Sequence, residues 1–186
     1  MTTTEAASSE LRDLLLSRIR DVPDYPQPGV MFKDITPLLA DPVAFNALVD
    51  ALAGLCSRHA ATKVVGLEAR GFILAAPAAA RARLGFVPVR KAGKLPGPTL
   101  AQGYALEYGT AEIEVHTDAF GPGDRVIVID DVLATGGTAE AALDLIGRTG
   151  ASVVGLAVLL ELAVLGGRER LAPALKGVPL DALVVV

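Results

Sequence analysis

The chain is poor in the features that would have fixed its class at once. A single cysteine, Cys56, among 186 residues rules out an internal disulfide and fits a reducing cytoplasm; it lies in an apolar helical stretch and reads as inert core. Basic charge is not in excess: 17 Lys and Arg stand against 21 Asp and Glu, a net −4, whereas broad nucleic-acid binding needs a surplus of phosphate-neutralising side chains. No apolar run is long enough to cross a bilayer, and the first ten residues lack the apolar centre of a secretion signal, so no membrane partner is expected. His59 and His116 lie far from each other in the sequence and neither adjoins a Cys pair, which suggests no protein-built metal cage. No repeat, low-complexity tract or linker interrupts the chain. With 52% hydrophobic residues it reads as one domain spanning 1–186, of which residues 1–10 alone are candidates for disorder.

What is present concentrates between Arg125 and Thr138, R-V-I-V-I-D-D-V-L-A-T-G-G-T. Val126 to Ile129 are β-branched without polar alternation, the pattern of a strand covered on both faces. Asp130 and Asp131 follow, and neighbours on an extended chain point to opposite sides, so the two carboxylates serve different partners. Ala134, Thr135, Gly136, Gly137 and Thr138 then lead into a run of good helix formers. A strand, a small-residue loop and a helix N-terminus in that order form a phosphate cradle of amide dipoles. The loop contains no lysine and does not fit the nucleoside triphosphatase pattern.

Along the chain, Ser8 or Ser9 caps a helix expected to run to Arg20, and prolines 23, 26 and 28 stop it. Residues 25–37 have no clear period and read as an ordered loop. Asp41 and Pro42 open a helix to about His59. Lys63–Leu67 reads as a strand leading into a helix that contains Pro77, and 86–91 as the next strand. A Gly/Pro-rich loop over 92–100 precedes a hairpin arm over 105–116. Residues 152–160 form another buried strand, and 183–186 a short last one. Strands alternating with helices predict an α/β doubly wound domain, its mainly parallel sheet flanked by helices, with ligands at the carboxyl ends of the strands.

Other residues carry chemistry only if the fold gathers them. Arg70, Arg90, Lys91 and Lys94 would neutralise a departing polyanion if they converge, and are ordinary surface cations if they do not. Glu107 would exchange a proton with a ring nitrogen if the arm covers the site, and is solvated if it does not. Phe32, in a proline-bounded loop, suits stacking on a base, although a lone Phe more often lies in the core.

The 130–138 loop resembles the 5-phosphoribosyl-1-pyrophosphate (PRPP) signature of the type I phosphoribosyltransferases. Tyr25 to Pro37, Ala69-Arg-Gly-Phe72, Arg90 to Thr99, Leu106-Glu-Tyr-Gly109 and Val128 to Thr138 follow in the order found in the adenine-specific members of that family. The resemblance implies the type I phosphoribosyltransferase fold with a small N-terminal hood at about 20–40 and a flexible hairpin arm. It further implies transfer of phosphoribose from PRPP to adenine, giving AMP and pyrophosphate. Val30, Met31, Phe32 and Lys33 would bind adenine. Arg70, Lys91, Lys94 and Arg90 would hold pyrophosphate, with Arg90 extending towards a partner subunit of a homodimer. Glu107 would be catalytic, and Asp130, Asp131 and Ala134 to Thr138 would hold ribose and 5′-phosphate. Mg²⁺ would arrive with PRPP, with Asp130 as a contact and no direct protein metal site. Glu68 stands where an aspartate is common, beside a peptide that is often strained in the family. Another purine as substrate, or a PRPP-sensing regulator without turnover, are the rival readings.

Overall fold

The computed structural model describes residues 8–105 and 110–186. Its centre is a seven-stranded sheet in the order β5-β6-β4-β3-β7-β8-β9. The parallel part comprises β3 (Lys63–Leu67), β4 (Gly85–Lys91), β7 (Arg125–Leu133), β8 (Ser152–Glu161) and β9 (Leu180–Val185). The edge is antiparallel: β6 (Thr110–His116) pairs with β4, and β5 (Thr99–Ala105) with β6. This is the doubly wound, mainly parallel architecture that the alternation of strands and helices predicts.

The β-branched run of β7 explains the layering, because its side chains alternate between two cores. Ile127 and Ile129 face a cluster with Leu48, Leu52, Leu74 and Ala78, from helices α3 (Pro42–Arg58) and α4 (Arg70–Ala82). Val126 and Val128 face the opposite cluster, with Leu145 and Ile146 of α5 (Gly137–Gly147) and Leu171 of α6 (Gly167–Leu175). Cys56 is buried in the first cluster, where burial pushes its thiol up to about 11, in line with an inert role.

Several boundaries differ from expectation. Ser8 does cap a first helix, accepting from Leu11 N–H at 3.3 Å, but α1 (Ser9–Leu16) ends four residues early. Ser9 and Glu10 thus belong to a helix that Ser8 opens. The chain then extends as β1 (Arg20–Pro23), pairing antiparallel with β2 (Met31–Asp34) in a separate two-stranded ribbon. Residues 31–34 are therefore strand, not loop; four residues are too few to display a period. The short helix α2 (Thr36–Ala40) and α6 went unforeseen, and β5 replaces part of the expected loop, pairing supplying order that composition does not announce. Asp41 caps α3 as predicted, accepting from Val43 and Ala44 N–H at 2.9 and 3.0 Å.

Candidate active site

Three loops leave the carboxyl ends of adjacent strands β4, β3 and β7. The loop after β7 gives the site its floor. Asp130, Leu133, Ala134 to Ala139 and Val158 line one concavity. Gly136 caps α5 at φ 83° and offers no side chain to its first amides, so those N–H groups stay available to a ligand. A Cβ on Gly136 would sit 3.0 Å from the Gly167 carbonyl, and one on Gly167 would collide with the Ala134 carbonyl. The start of α6 thus backs the loop after β7 with almost no clearance.

The two aspartates diverge as neighbours on a strand must. Asp130 lines the concavity, and its Oδ1 accepts from the Asp131 amide at 2.9 Å. Burial, and after it the like charge of Asp131, push the Asp130 carboxyl well above the usual range. Gly71 permits this packing, since a Cβ there would lie 2.8 Å from Asp130 Oδ1. Asp131 is 5% exposed and faces Arg70, whose Nε stands 2.7 Å from Oδ2. The pair is close enough for charge attraction but poorly angled, so Oδ2 is buried without a true hydrogen bond.

Arg70 reaches the ribbon as well. Its guanidinium lies 5.1 Å from the centroid of the Phe32 ring, which packs edge-on against Tyr25 at 5.1 Å. Phe32 is half-buried rather than part of the core, and Met31 beside it is half-exposed. Lys33 turns away: opposite Asp21 in the ribbon, its Nζ bonds Asp21 Oδ1 at 2.7 Å.

Two of the other cations, Lys94 and Arg90, meet on Glu68, and Lys91 reaches it by its backbone amide. Glu68 Oε1 takes Lys94 Nζ at 2.6 Å, and its Oε2 takes the Lys91 amide at 2.9 Å and Arg90 Nε at 3.3 Å. Arg90 also donates to the Lys94 carbonyl at 3.1 Å, so it is engaged within its own chain. Burial pushes the Glu68 carboxyl up, but the bonds from Lys94 and Lys91 outweigh it and hold it below the usual range. The Glu68–Ala69 peptide is cis. Glu107 lies outside the described residues.

Of the sequence-predicted residues, Phe32, Arg70 and Asp131 lie in one line, and Arg90 and Lys94 meet on Glu68, while the side chain of Lys33 points elsewhere. Residues 39–176 match the phosphoribosyl transferase domain family. The chain is 72% identical over 176 residues to the adenine phosphoribosyltransferase of Streptomyces coelicolor, covering 95% of this chain and 97% of that one. This chain belongs to the adenine phosphoribosyltransferase family. The Streptomyces galbus adenine phosphoribosyltransferase is 70% identical over 98% of this chain and all of its own length. Among solved structures, the adenine phosphoribosyltransferase of Rhodothermus marinus superposes with a TM-score of 0.88 at 50% identity, covering 96% of this chain and 100% of that one. That of Saccharomyces cerevisiae, solved with adenine and an imino-altritol bisphosphate, gives 0.88 at 34% identity, over 94% and 99% of the two chains. Within this family the fold is the type I phosphoribosyltransferase fold.

Two residues that frame the site escaped the sequence reading. Gly167 belongs to a helix that composition did not reveal. Glu114 sits in T-A-E-I-E-V-H, where alternation marks it as a solvent-facing residue, yet it is only 5% exposed. Only the register that places it opposite Arg90 could have found it.

Proposed function

We propose that this site performs purine salvage, transferring the 5-phosphoribosyl group of PRPP to adenine with release of AMP and pyrophosphate. The observation that carries the reading is the line from Phe32 through Arg70 to Asp131, because it joins a stacking surface, a pyrophosphate cation and a ribose carboxylate. The amides that open α5, with Ala134 to Thr138, hold the 5′-phosphate, while Asp130 and Asp131 stand beside the ribose. Val30, Met31 and Phe32 line the base pocket, to which Lys33, its side chain held on the other face by Asp21, contributes its backbone. Phe32 stacks on the purine, and a backbone carbonyl of Met31 accepts from the 6-amino group. The same carbonyl repels a 6-oxo group, which disfavours hypoxanthine.

In the reaction a purine ring nitrogen forms a bond to C1′ as the bond from C1′ to the pyrophosphate oxygen breaks. The electron pair leaves with pyrophosphate, and the ring proton passes to Glu107. Arg70, Arg90, Lys91 and Lys94 stabilise the charge that grows on the leaving group. Phosphoribosyltransferases in general use Mg²⁺ with PRPP. The donor set fits such an ion, since Asp130 lines the phosphate concavity and Mg²⁺ takes most of its oxygens from substrate and water. When bound, it would add positive charge beside the pyrophosphate.

The enzyme works in the cytoplasm, consistent with its lone buried thiol. No helix among the described residues is long and apolar enough to cross a membrane. The enzyme acts as a homodimer, which sedimentation at micromolar concentration tests. The test of function is pyrophosphate release with PRPP, Mg²⁺ and each purine in turn. Turnover with adenine alone is expected. Strong turnover of hypoxanthine would overturn the base assignment, and PRPP binding without turnover would favour a regulator.

A further inference from the structure

Glu114 lies on β6 opposite Arg90 of β4 and Ala101 of β5. Its neighbours Ile113 and Val115 enter the core, so its own side chain leaves on the other face of the strand. That face is roofed by the loop that follows β4. Oε1 accepts from the Lys94 and Leu95 amides at 2.9 and 2.8 Å, and Oε2 from the Thr99 hydroxyl at 3.2 Å. The Gly93 amide also stabilises the charged form; burial pushes the carboxyl up, but the three amides together hold it below the usual range.

Successive amides converging on one point form an anion nest, a concavity that commonly receives phosphate. Here the protein's own carboxylate fills it. With the Lys94 backbone tied to Glu114, its side chain extends the other way and meets Glu68 at 2.6 Å. The loop is thus held between two nearly buried carboxylates, one gripping its backbone and the other its side chain. Neither glycine nor proline in the loop could confer that pose, because neither provides a charge for the amides to meet.

We infer that Glu114 is a positioning residue for PRPP: seated in the amide nest of residues 93–95, its carboxylate sets the loop that presents Lys94, and it acts on the pyrophosphate through that lysine. The inference rests on Lys94 being a pyrophosphate ligand, and the experiment separates the two claims. Steady-state constants for both substrates are measured for Lys94→Ala, Glu114→Gln and the double variant. Lys94→Ala is expected to raise the KM for PRPP at least tenfold; no change there would overturn the pyrophosphate reading itself. Glu114→Gln is expected to raise the same KM about tenfold, leaving the KM for adenine within twofold and kcat within threefold. Because both act through one group, the double variant should lose no more than about twofold beyond the worse single one. A Glu114→Gln effect that is absent, that falls equally on both substrates, or that multiplies fully with Lys94→Ala would overturn the positioning role. If Glu114→Gln does not fold, Glu114→Asp retains the charge but withdraws it by one methylene. A PRPP-selective rise of about threefold is then expected, and equal rises for both substrates would refute it.

Discussion

Asp130 and Asp131 share a strand and a sign of charge but face different partners. Asp130 meets burial and, after it, its neighbour's charge, both of which favour the protonated acid. A carboxyl with a raised pKa in the fold keeps a proton that the unfolded chain gives up near its usual value of 3.8. Stability is therefore lost as pH climbs from there towards the folded pKa, and at neutral pH Asp130 weighs against folding. Asp130→Asn should raise the ligand-free Tm at pH 8 by roughly 2–4 °C, the shift for about 1 kcal/mol in a chain of this size, while weakening PRPP binding. A lower Tm would mean that the carboxylate is well accommodated where it stands. Glu107 carries chemistry only if the arm covers the site. If it takes the ring proton, Glu107→Gln should lower kcat by roughly 10²–10⁴ with PRPP affinity little changed; an unaltered kcat would remove it from the chemistry.

Among the elements, α6 and the loop after β7 meet with no room for a side chain at Gly167. Gly167→Ala forces the Ala134 carbonyl to move, and because the first amides of α5 follow directly, the KM for PRPP should rise at least tenfold. Gly147→Ala is the matched control in the last turn of α5, where a Cβ meets nothing, and it should be stabilising by about 0.4–1 kcal/mol. Equal effects in thermal melts and PRPP kinetics would argue against the buttress. The contrast also shows what was legible in the sequence. Lys63–Leu67, the α3 cap at Asp41 and the buried run of β7 were readable because each is written in consecutive residues. Phe32 facing Arg70, the nest around Glu114 and the Gly136–Gly167 approach depend on segments 19 to 38 residues apart being folded together. Composition is silent on such pairings: Glu114 looks like any outward-facing strand residue until the 92–98 loop covers it.

For the molecule as a whole, the same accounting gives a direction for acid stability. Hydrogen bonds and nearby cations hold Asp34, Asp41, Glu68, Glu114 and Asp124 below their usual ranges. For depressed carboxyls the contribution is complete above the unfolded values of 3.8 and 4.5 and disappears as pH falls through the folded ones. These groups make the Tm level off above about pH 5 and fall below about pH 4; melts from pH 8 to 3 test this, and a Tm that held steady to pH 3 would contradict it. The ribbon of β1 and β2 has a different consequence. It pairs only with itself and forms a sheet apart from the seven strands, reaching the phosphate machinery through side chains such as Arg70 and Phe32. If the ribbon chooses the nucleobase as proposed, that surface is a detachable fitting: it can be rewritten, residue by residue, while the loops of the main sheet keep their hydrogen-bonded frame.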